Sequence, residues 1–599
     1  MKKIHIYIML VVLVAFTACT DDIDDILDKK PLDVITDEDV WKSPELVKTY
    51  INAIYANMGI LYMDNEKYFP AKGPAAITEI LSIADEGCED WGGRINQIPK
   101  YGNMTETSKW MSWWGYDQIY QMNLLIDKLP EEPGLTDEEK AAAISETRFL
   151  RAYSYFHMAK LFGGVPLITK PQSIDDPEEE LYPARNKEVE IYDFVLSELD
   201  AIVNDLPETV HAAEHGRPTQ NTALALKSRA AMYAASIAQY GTVNLDGVVG
   251  IPSSKANSYW QASYDASKKI MEYSAANSGN LALYNQIPDD KAQNYRQLFL
   301  DQRNVEIIWA RSFLGQPGAS EGPMGLWNLA QSPRSLHPWV GGQACAVYLE
   351  MADAYENADG TPGKLDPASL ENGLVTVDEL FGNKEPRFFG ALYTQNTDFY
   401  GRTVQMYDGI IDLEGNLITS GNYKGLNVQP AKNKINGFGV LKYCDGSRWP
   451  QSTDMITFRY GEILLNHAEA AFELGKAPEA LDAVNQIRER AGVPVHTEID
   501  MDKIRHERKI ELAFEGQRYW DLRRWRIAKT ELTKTYSTLR FILDYASYEA
   551  DPTNPKFQVS ILPSDGGRTP VFNEENYYFP ITPGRIANNG NLVENPGYE

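Results

Sequence analysis

Apolar residues along this chain fall into three patterns. The first is a short run at the amino end, where Lys2 and Lys3 precede an almost wholly apolar stretch from Ile4 to Phe16 that closes on Thr17-Ala18-Cys19. It is shorter than the roughly 18–20 residues that a membrane-crossing helix needs, and Asp21, Asp22, Asp24 and Asp25 follow at once. That is the layout of a cleaved export signal, not of a span. The second pattern has helical period and comes in pairs: 44–58 with 110–129, 138–162 with 187–206, 222–240 with 260–273, and 458–474 with 478–491. Tyr192, Val195, Leu199 and Ile202 share one face of their segment, and Leu481, Val484 and Ile487 share one face of theirs. The third pattern occupies 312–450, where Gly, Pro, Asn and Trp dominate and 406–427 alternates in short strand-like runs around Glu414-Gly415-Asn416.

These patterns predict a mostly α-helical protein. Paired helices with Ala at close contacts, as in Ala468-Glu469-Ala470-Ala471, look like degenerate tetratricopeptide repeats, irregularly spaced and so a scaffold rather than a free solenoid. The chain divides into a signal at 1–18, a tether at 19–43 broken by Pro31, and a helical part at 44–311 with an insertion at about 59–109. The irregular region at 312–450 and a second helical part at 451–599 follow. Long structured loops on a rigid frame are where binding residues concentrate.

Composition narrows the function. With 43% hydrophobic and 24% charged residues the chain has ample core, and a net charge of −27 repels nucleic acid and anionic lipid headgroups. Contact with a membrane must therefore come from an anchor. Small residues leading into Cys19 resemble a bacterial lipobox, in which that thiol is diacylated; at about 0.8 kcal/mol per buried methylene, two or three acyl chains hold firmly. Beyond Cys19 only Cys88, Cys345 and Cys444 remain, too few for a disulfide framework or a zinc knuckle, although one pair stays possible.

Two hydrolase-like signatures occur in unsuitable settings. His211-Ala-Ala-Glu214-His215 has inverted zincin spacing but lies between Pro207 and Pro218, after a helix has ended. Gly318-Ala-Ser320-Glu-Gly322 has nucleophile-elbow spacing but is bracketed by Pro317 and Pro323. No P-loop or dinucleotide fingerprint appears, so no catalytic residue, metal ligand or cofactor is nominated. In 504–525, charges alternate with apolar anchors (Glu507, Arg508, Glu511, Glu515, Arg518, Asp521, Arg523, Arg524), a pattern suited to a structural knot of ion pairs.

At this point the chain resembles the SusD/RagB surface lipoproteins of Bacteroidetes. The likeness rests on Leu27-Asp28-Lys-Lys-Pro31 with Trp41, and on Glu146-Thr-Arg148-Phe-Leu-Arg151-Ala-Tyr153 running on to Gly163-Gly164-Val-Pro166. It continues in Arg459-Tyr-Gly-Glu462, Arg488-Glu-Arg-Ala-Gly492, Glu507 to Trp525, and the ending from Phe579-Pro-Ile581 to Asn595-Pro-Gly-Tyr598. The resemblance implies four tetratricopeptide-like helix pairs supporting an irregular ligand-binding half. It also implies a non-enzymatic protein, lipid-anchored at the outer face of the outer membrane, that captures nutrient glycans and delivers them to a SusC-like TonB-dependent transporter. A peptide receptor of the same architecture and a lipid-anchored hydrolase using His211 and His215 are the alternatives.

An oligosaccharide binds by stacking its C–H faces on flat rings while polar side chains meet its hydroxyl rim. About 100 Å² of apolar face yields roughly 2.5 kcal/mol before ordering costs, so several rings are needed. Among 12 Trp and 34 Tyr, position within the insertions selects Trp91, Trp327 and Trp339 for stacking, with Arg94, Asn96 and Asn328 for hydrogen bonds. Trp110, Trp113 and Trp114 sit at helical spacing and are expected in the core.

Overall fold

The structure, a computed structural model, describes residues 40–58, 81–89, 100–102, 104–105, 113–312, 327, 331–336, 343, 345–371, 373–428, 437–446 and 453–598. The first helices are α1 (Pro44–Asn57), α2 (Tyr116–Lys128), α3 (Asp137–Phe162), α4 (Glu188–Ile202), α5 (Gln220–Tyr240) and α6 (Ala256–Ala276). After α7 (Lys291–Leu298), the remaining long helices are α8 (Tyr460–Glu473), α9 (Ala477–Ala491) and α10 (Met501–Glu511), followed by the short α11 (Arg518–Arg524). Neighbours in this order pack on one another: α2 on α3, α3 on α4, α4 on α5, α5 on α6, α6 on α8 and α8 on α9.

Local chemistry sets the boundaries. Thr136 and Glu139 form a capping box at the start of α3, with Thr136 Oγ1 accepting from the Glu139 N–H at 3.2 Å and the Glu139 carboxylate accepting from the Thr136 N–H at 2.8 Å. Gly163, at φ +80°, ends the helix, and a Cβ on Gly164 would stand 1.9 Å from the Asn186 carbonyl oxygen, so only glycine lets that chain pass. In α5, Ala225, Ala230, Ala231, Ala234, Ala235 and Ala238 are sealed from solvent, which lets α4 and α6 pack closely against it.

Strands account for the departures from the helical reading. Phe458 and Arg459, expected in a helix, end β11 (Met455–Arg459), which pairs antiparallel with β2 (Ile307–Arg311). A five-stranded sheet runs in the order β4 (Leu374–Val375), β13 (Phe557–Pro563), β12 (Ser537–Asp544), β6 (Ile410–Ile411), β7 (Leu417–Ile418). The β12–β13 hairpin lies in a stretch read as helical, because its alternation was too short to outweigh the helices before it. The hairpin around Glu414-Gly415-Asn416 is present between β6 and β7, with the Asp412 carboxylate accepting from the N–H groups of Glu414 and Asn416. A third sheet orders β1 (Gly87–Glu89), β3 (Cys345–Val347), β10 (Phe438–Val440) and β5 (Leu392–Thr394), and β8 (Gly421–Tyr423) pairs antiparallel with β9 (Leu426–Val428). Cys88, Cys345 and Cys444 are buried thiols, none in a disulfide.

Where these layers meet, charged groups pair out of solvent. Arg459 reaches Glu306 at 2.7 Å, Glu511 at 2.8 Å and Glu515 at 2.8 Å. Glu511 also pairs with Arg490 and with Arg387 at 3.1 Å, and Glu507 joins Arg387 to Arg488 at 2.5 and 3.0 Å. Lys442 closes on Glu515 at 2.8 Å. A second knot joins Arg508, Asp521, Arg524 and Glu469, and the Trp525 indole N–H donates to Glu469 at 2.8 Å. Burial opposes the charge on Glu511, but Arg490, Arg459 and Arg387 outweigh it and hold the carboxyl well below the usual range.

Removing one member of such a cluster strands its partners. Glu511→Ala is therefore expected to lower stability by about 3–5 kcal/mol, read from the urea midpoint at neutral pH; a loss of under about 1 kcal/mol would mean that the pairs are effectively solvated.

Candidate functional site

Two places in the described structure bear on ligand binding. The first is the root of the insertion that carries Trp91, Arg94 and Asn96. β1 ends at Glu89, which stands opposite Cys345 in the antiparallel ladder with β3. The chain resumes at Lys100, whose ammonium donates to the Gly87 carbonyl at 3.4 Å and pairs with Asp565 at 3.1 Å. Gly87 and Lys100, on either side of residues 90–99, are thus tied together. Because Glu89 faces the first residue of β3, the segments leaving β1 forward and β3 backward emerge at one end of the ladder.

Carboxylates brace this root from beneath. Asp85 takes Arg518 at 2.8 Å and Lys509 at 2.9 Å. Burial resists its ionisation, yet those two cations prevail and hold its carboxyl well below the ordinary range. Glu86 beside it accepts from the Phe514 N–H at 2.7 Å through one oxygen, while the other has no hydrogen-bond partner among the described residues. Burial raises Glu86 to about 7, against the pull of the Phe514 N–H.

The second place is a cavity of about 670 Å³ between α1, the turn 211–217 and the β2–β11 pair. Lys48, Asn52 and Tyr55 lie three and four apart and so share one face of α1. Arg217 reaches Glu146 at 2.6 Å and Asn52 at 2.8 Å, and the Tyr55 hydroxyl donates to the same Glu146 at 2.8 Å. Lys48 pairs with Glu214. Burial lifts the Glu146 carboxyl despite Arg217, and burial lowers the Arg311 guanidinium to about 9. Trp309 forms the inner wall, 3% exposed, its N–H donating to the Gly216 carbonyl at 2.8 Å. The lining offers donors and acceptors in one concave space, and α1 and β2 run on from it into 59–80 and 313–326.

The sequence-derived candidates divide. Trp91, Arg94, Asn96, Asn328, Trp339 and the proposed lipidation site Cys19 lie outside the described residues, as does Trp110. Trp327 is 2% exposed, donates its N–H to the Lys442 carbonyl at 2.8 Å and meets Tyr443 edge-on at 5.9 Å. Its ring belongs to the core and has no face for a ligand, which corrects its assignment as a stacking residue. Trp113 is buried and Trp114 packs on Phe162 at 5.3 Å, as helical spacing suggested, although both precede α2. His211 lines the cavity, whereas His215 faces Asp454 at 3.5 Å, and only a single 3₁₀ turn, Ala212–Glu214, separates them, not the α-helical face that zincin chemistry uses. Among the described residues no group of three or more His, Cys, Asp or Glu is placed to hold a metal ion, and no helix is long and apolar enough to cross a membrane. Tyr55, Arg217 and Trp309 went unnoticed in the sequence; only Arg217, beside two Pro-flanked histidines, stood in a marked stretch.

Comparison with known proteins defines the class. Residues 305–598 match the SusD family, and residues 25–232 match a family described as starch-binding and associating with the outer membrane. The chain belongs to the SusD/RagB family, and its mostly helical architecture is the SusD-like fold. It is 24% identical to SusD-like protein P38 of Formosa agariphila, over 87% of this chain and 91% of that one. It is 24% identical to the starch-binding protein SusD of Bacteroides thetaiotaomicron, over 81% and 77%. A crystal structure of a SusD-like protein from Bacteroides fragilis superposes with a TM-score of 0.68 at 25% identity, covering 95% of this chain and 100% of that one.

The Glu86 root yields a test by pH. Because its folded-state value lies above its unfolded one, the stability it contributes is complete below about pH 4.5 and is lost as pH rises through about 7. Glu86→Gln, neutral throughout, should gain on the parent over that interval by on the order of 2–3 kcal/mol, measured as urea midpoints at pH 5 and pH 8. A constant difference between the two would show that Glu86 is solvated.

Proposed function

We propose that this protein is a glycan receptor, anchored through Cys19 at the outer face of the outer membrane, that delivers oligosaccharide to a SusC-like TonB-dependent transporter. Membership of a family described as starch-binding and outer-membrane-associated supports the class. The observation that supports the site is the Glu89–Cys345 register: the chain leaves β1 toward Trp91, Arg94 and Asn96, and enters β3 from the side of Trp339, at the same end of the β1–β3 ladder. In this reading the indoles of Trp91 and Trp339 give the flat apolar faces that a pyranose ring needs, and Arg94, Asn96 and Asn328 supply donors and acceptors for its hydroxyls. Strand pairing of β1 with β3 and the buried ion pairs of Asp85 and Lys100 keep the frame beneath such a site rigid, which lowers the ordering cost of binding.

Delivery to a barrel follows from tethering. A lipid at Cys19 followed by an acidic, Pro31-broken tether keeps the binding body at high effective concentration over a transporter mouth while leaving it free to swing.

Two experiments test the two halves. Trp91→Ala and Trp339→Ala should each weaken binding of the preferred oligosaccharide, found by glycan array, by about tenfold or more, equivalent to roughly 1.4 kcal/mol. Unchanged affinity in the double variant would sink the stacking role, and a receptor that retains peptides but no glycan on such arrays would be a peptide receptor instead. Separately, Cys19→Ala should abolish import of that oligosaccharide by cells while the purified protein keeps its affinity; normal import would rule out the tethered handover.

A further inference from the structure

A second cleft lies at the other end of α5. Gly216 and Arg217, just before the α5 N-cap Thr219, line the cavity described above, whereas Tyr240, the last residue of α5, lines a cleft of about 600 Å³. At 1.5 Å per residue, the helix separates the two by about 30 Å. The second cleft is walled by the loop after α5, the turn after α11 and the carboxy-terminal stretch, with Asn244, Arg526, Glu575 and Tyr577 among its lining.

Arg526 is the unusual member. Its φ of +56° falls in the left-handed region that glycine favours, where a long side chain is strained. What that backbone achieves is an aimed guanidinium: one amino group donates to the Tyr578 hydroxyl at 2.7 Å and the other to the Arg523 carbonyl at 3.3 Å, and the plane lies over Tyr577 at 4.7 Å. The Tyr578 hydroxyl in turn donates to the buried Glu188 at 2.8 Å, so the floor is braced from below. The Nε–H of Arg526 has no acceptor among the described residues. Beside it Gly241 keeps the space open, since a Cβ there would come within 3.3 Å of that nitrogen. Among the described residues the Tyr577 hydroxyl accepts weakly from the Lys529 N–H at 3.4 Å and finds no acceptor for its own proton, and Glu575 makes no ion pair.

The charges of this lining balance. Lys529 pairs with Glu574 at 2.9 Å, and the other two charges of the lining, Arg526 and Glu575, are of opposite sign. What remains is the half-buried Tyr240 ring, approached by Arg505 at 5.7 Å and with its hydroxyl donating to Glu473, together with unspent donors at Arg526 and Tyr577 and an unspent acceptor at Glu575. An anionic ligand would meet two carboxylates and a molecule of net charge −27. A hydroxyl donates and accepts at once, so this combination suits a neutral polyhydroxylated ligand. We propose that the Arg526 cleft is a second saccharide site, taking a short stretch of neutral oligosaccharide against Tyr240, with Arg526, Glu575 and Tyr577 holding its hydroxyls. The site goes beyond the reading above, because neither Trp91 nor Trp339 takes part in it.

The test is calorimetric titration of the full mature chain with maltohexaose, laminarihexaose and cellohexaose. A variant carrying both Trp91→Ala and Trp339→Ala should retain one binding event per chain for at least one of these probes. Adding Arg526→Gly, the residue that this backbone favours, should weaken the retained event by tenfold or more, and Tyr577→Phe, which keeps the ring, by about threefold. Both variants should melt cooperatively. Loss of all binding in the double Trp variant, a retained event indifferent to Arg526→Gly and Tyr577→Phe, or no binding of any probe by the parent would overturn the second site. Retained binding of a galacturonate hexamer alone would overturn its neutral specificity. If the Trp substitutions have no effect while Arg526→Gly abolishes binding, the second site stands and the stacking role of the two tryptophans fails.

Discussion

The buried ion pairs around Arg459 and Glu511 fix how the layers of this protein meet. Their members come from β2 and its approach, the middle region at 385–387 and 442, the end of β11, helix α9 and helix α10, so no two layers can shift without separating charges in a poorly solvated space. An apolar interface tolerates repacking because many arrangements bury similar area. A set of forked guanidinium and carboxylate groups does not, since each missing partner leaves a desolvated charge. The network is therefore a register device as much as a source of stability.

That rigidity bears on recognition. The insertions of this chain are held at their ends by groups that belong to the frame: Asp85 and Glu86 below β1, Lys100 at the exit of the first insertion, and Trp327 and Gln331 inside the second, where the Gln331 carbonyl accepts from the Tyr393 hydroxyl at 2.8 Å. A loop anchored in this way can change its sequence without disturbing the helices. The same division of labour recurs at the Arg526 cleft, where a strained residue is braced by Tyr578 and Glu188 and keeps one donor without an acceptor among the described residues.

Much of the frame was legible because its signals are local. The paired helices announce themselves by apolar period, by the Thr136–Glu139 capping box and by Gly163, and all four predicted pairs have counterparts within a few residues at most ends. The alternating charges of 507–524 likewise found partners, except Arg523, which makes no ion pair among the described residues and lies instead over the rings of Trp520 and Phe579. Strands were harder to see: β2 and β11 are five residues each, and β11 runs directly into α8, so its short apolar run could not be told from the helix next to it. Trp327 was misread for a related reason. It lies in a stretch rich in Gly and Pro that reads as exposed loop, and only the Lys442 carbonyl and the Tyr443 ring, more than a hundred residues away in the chain, draw it inside.

The sequence by itself determined the helical class, the acidic surface and the order of motifs that marks the SusD/RagB family, because periodicity, charge and spacing are properties of neighbours along the chain. Tertiary structure decided which aromatic rings are spent on the core, which carboxylates are stripped of water and which segments share a root. Those depend on contacts between residues hundreds of positions apart, such as Asp85 with Arg518 or Glu188 with Tyr578, for which the linear pattern has no signal. The left-handed backbone at Arg526 belongs to the same category: nothing in the residue names it, and only the packing of Tyr577 and Tyr578 around it shows where its charge points.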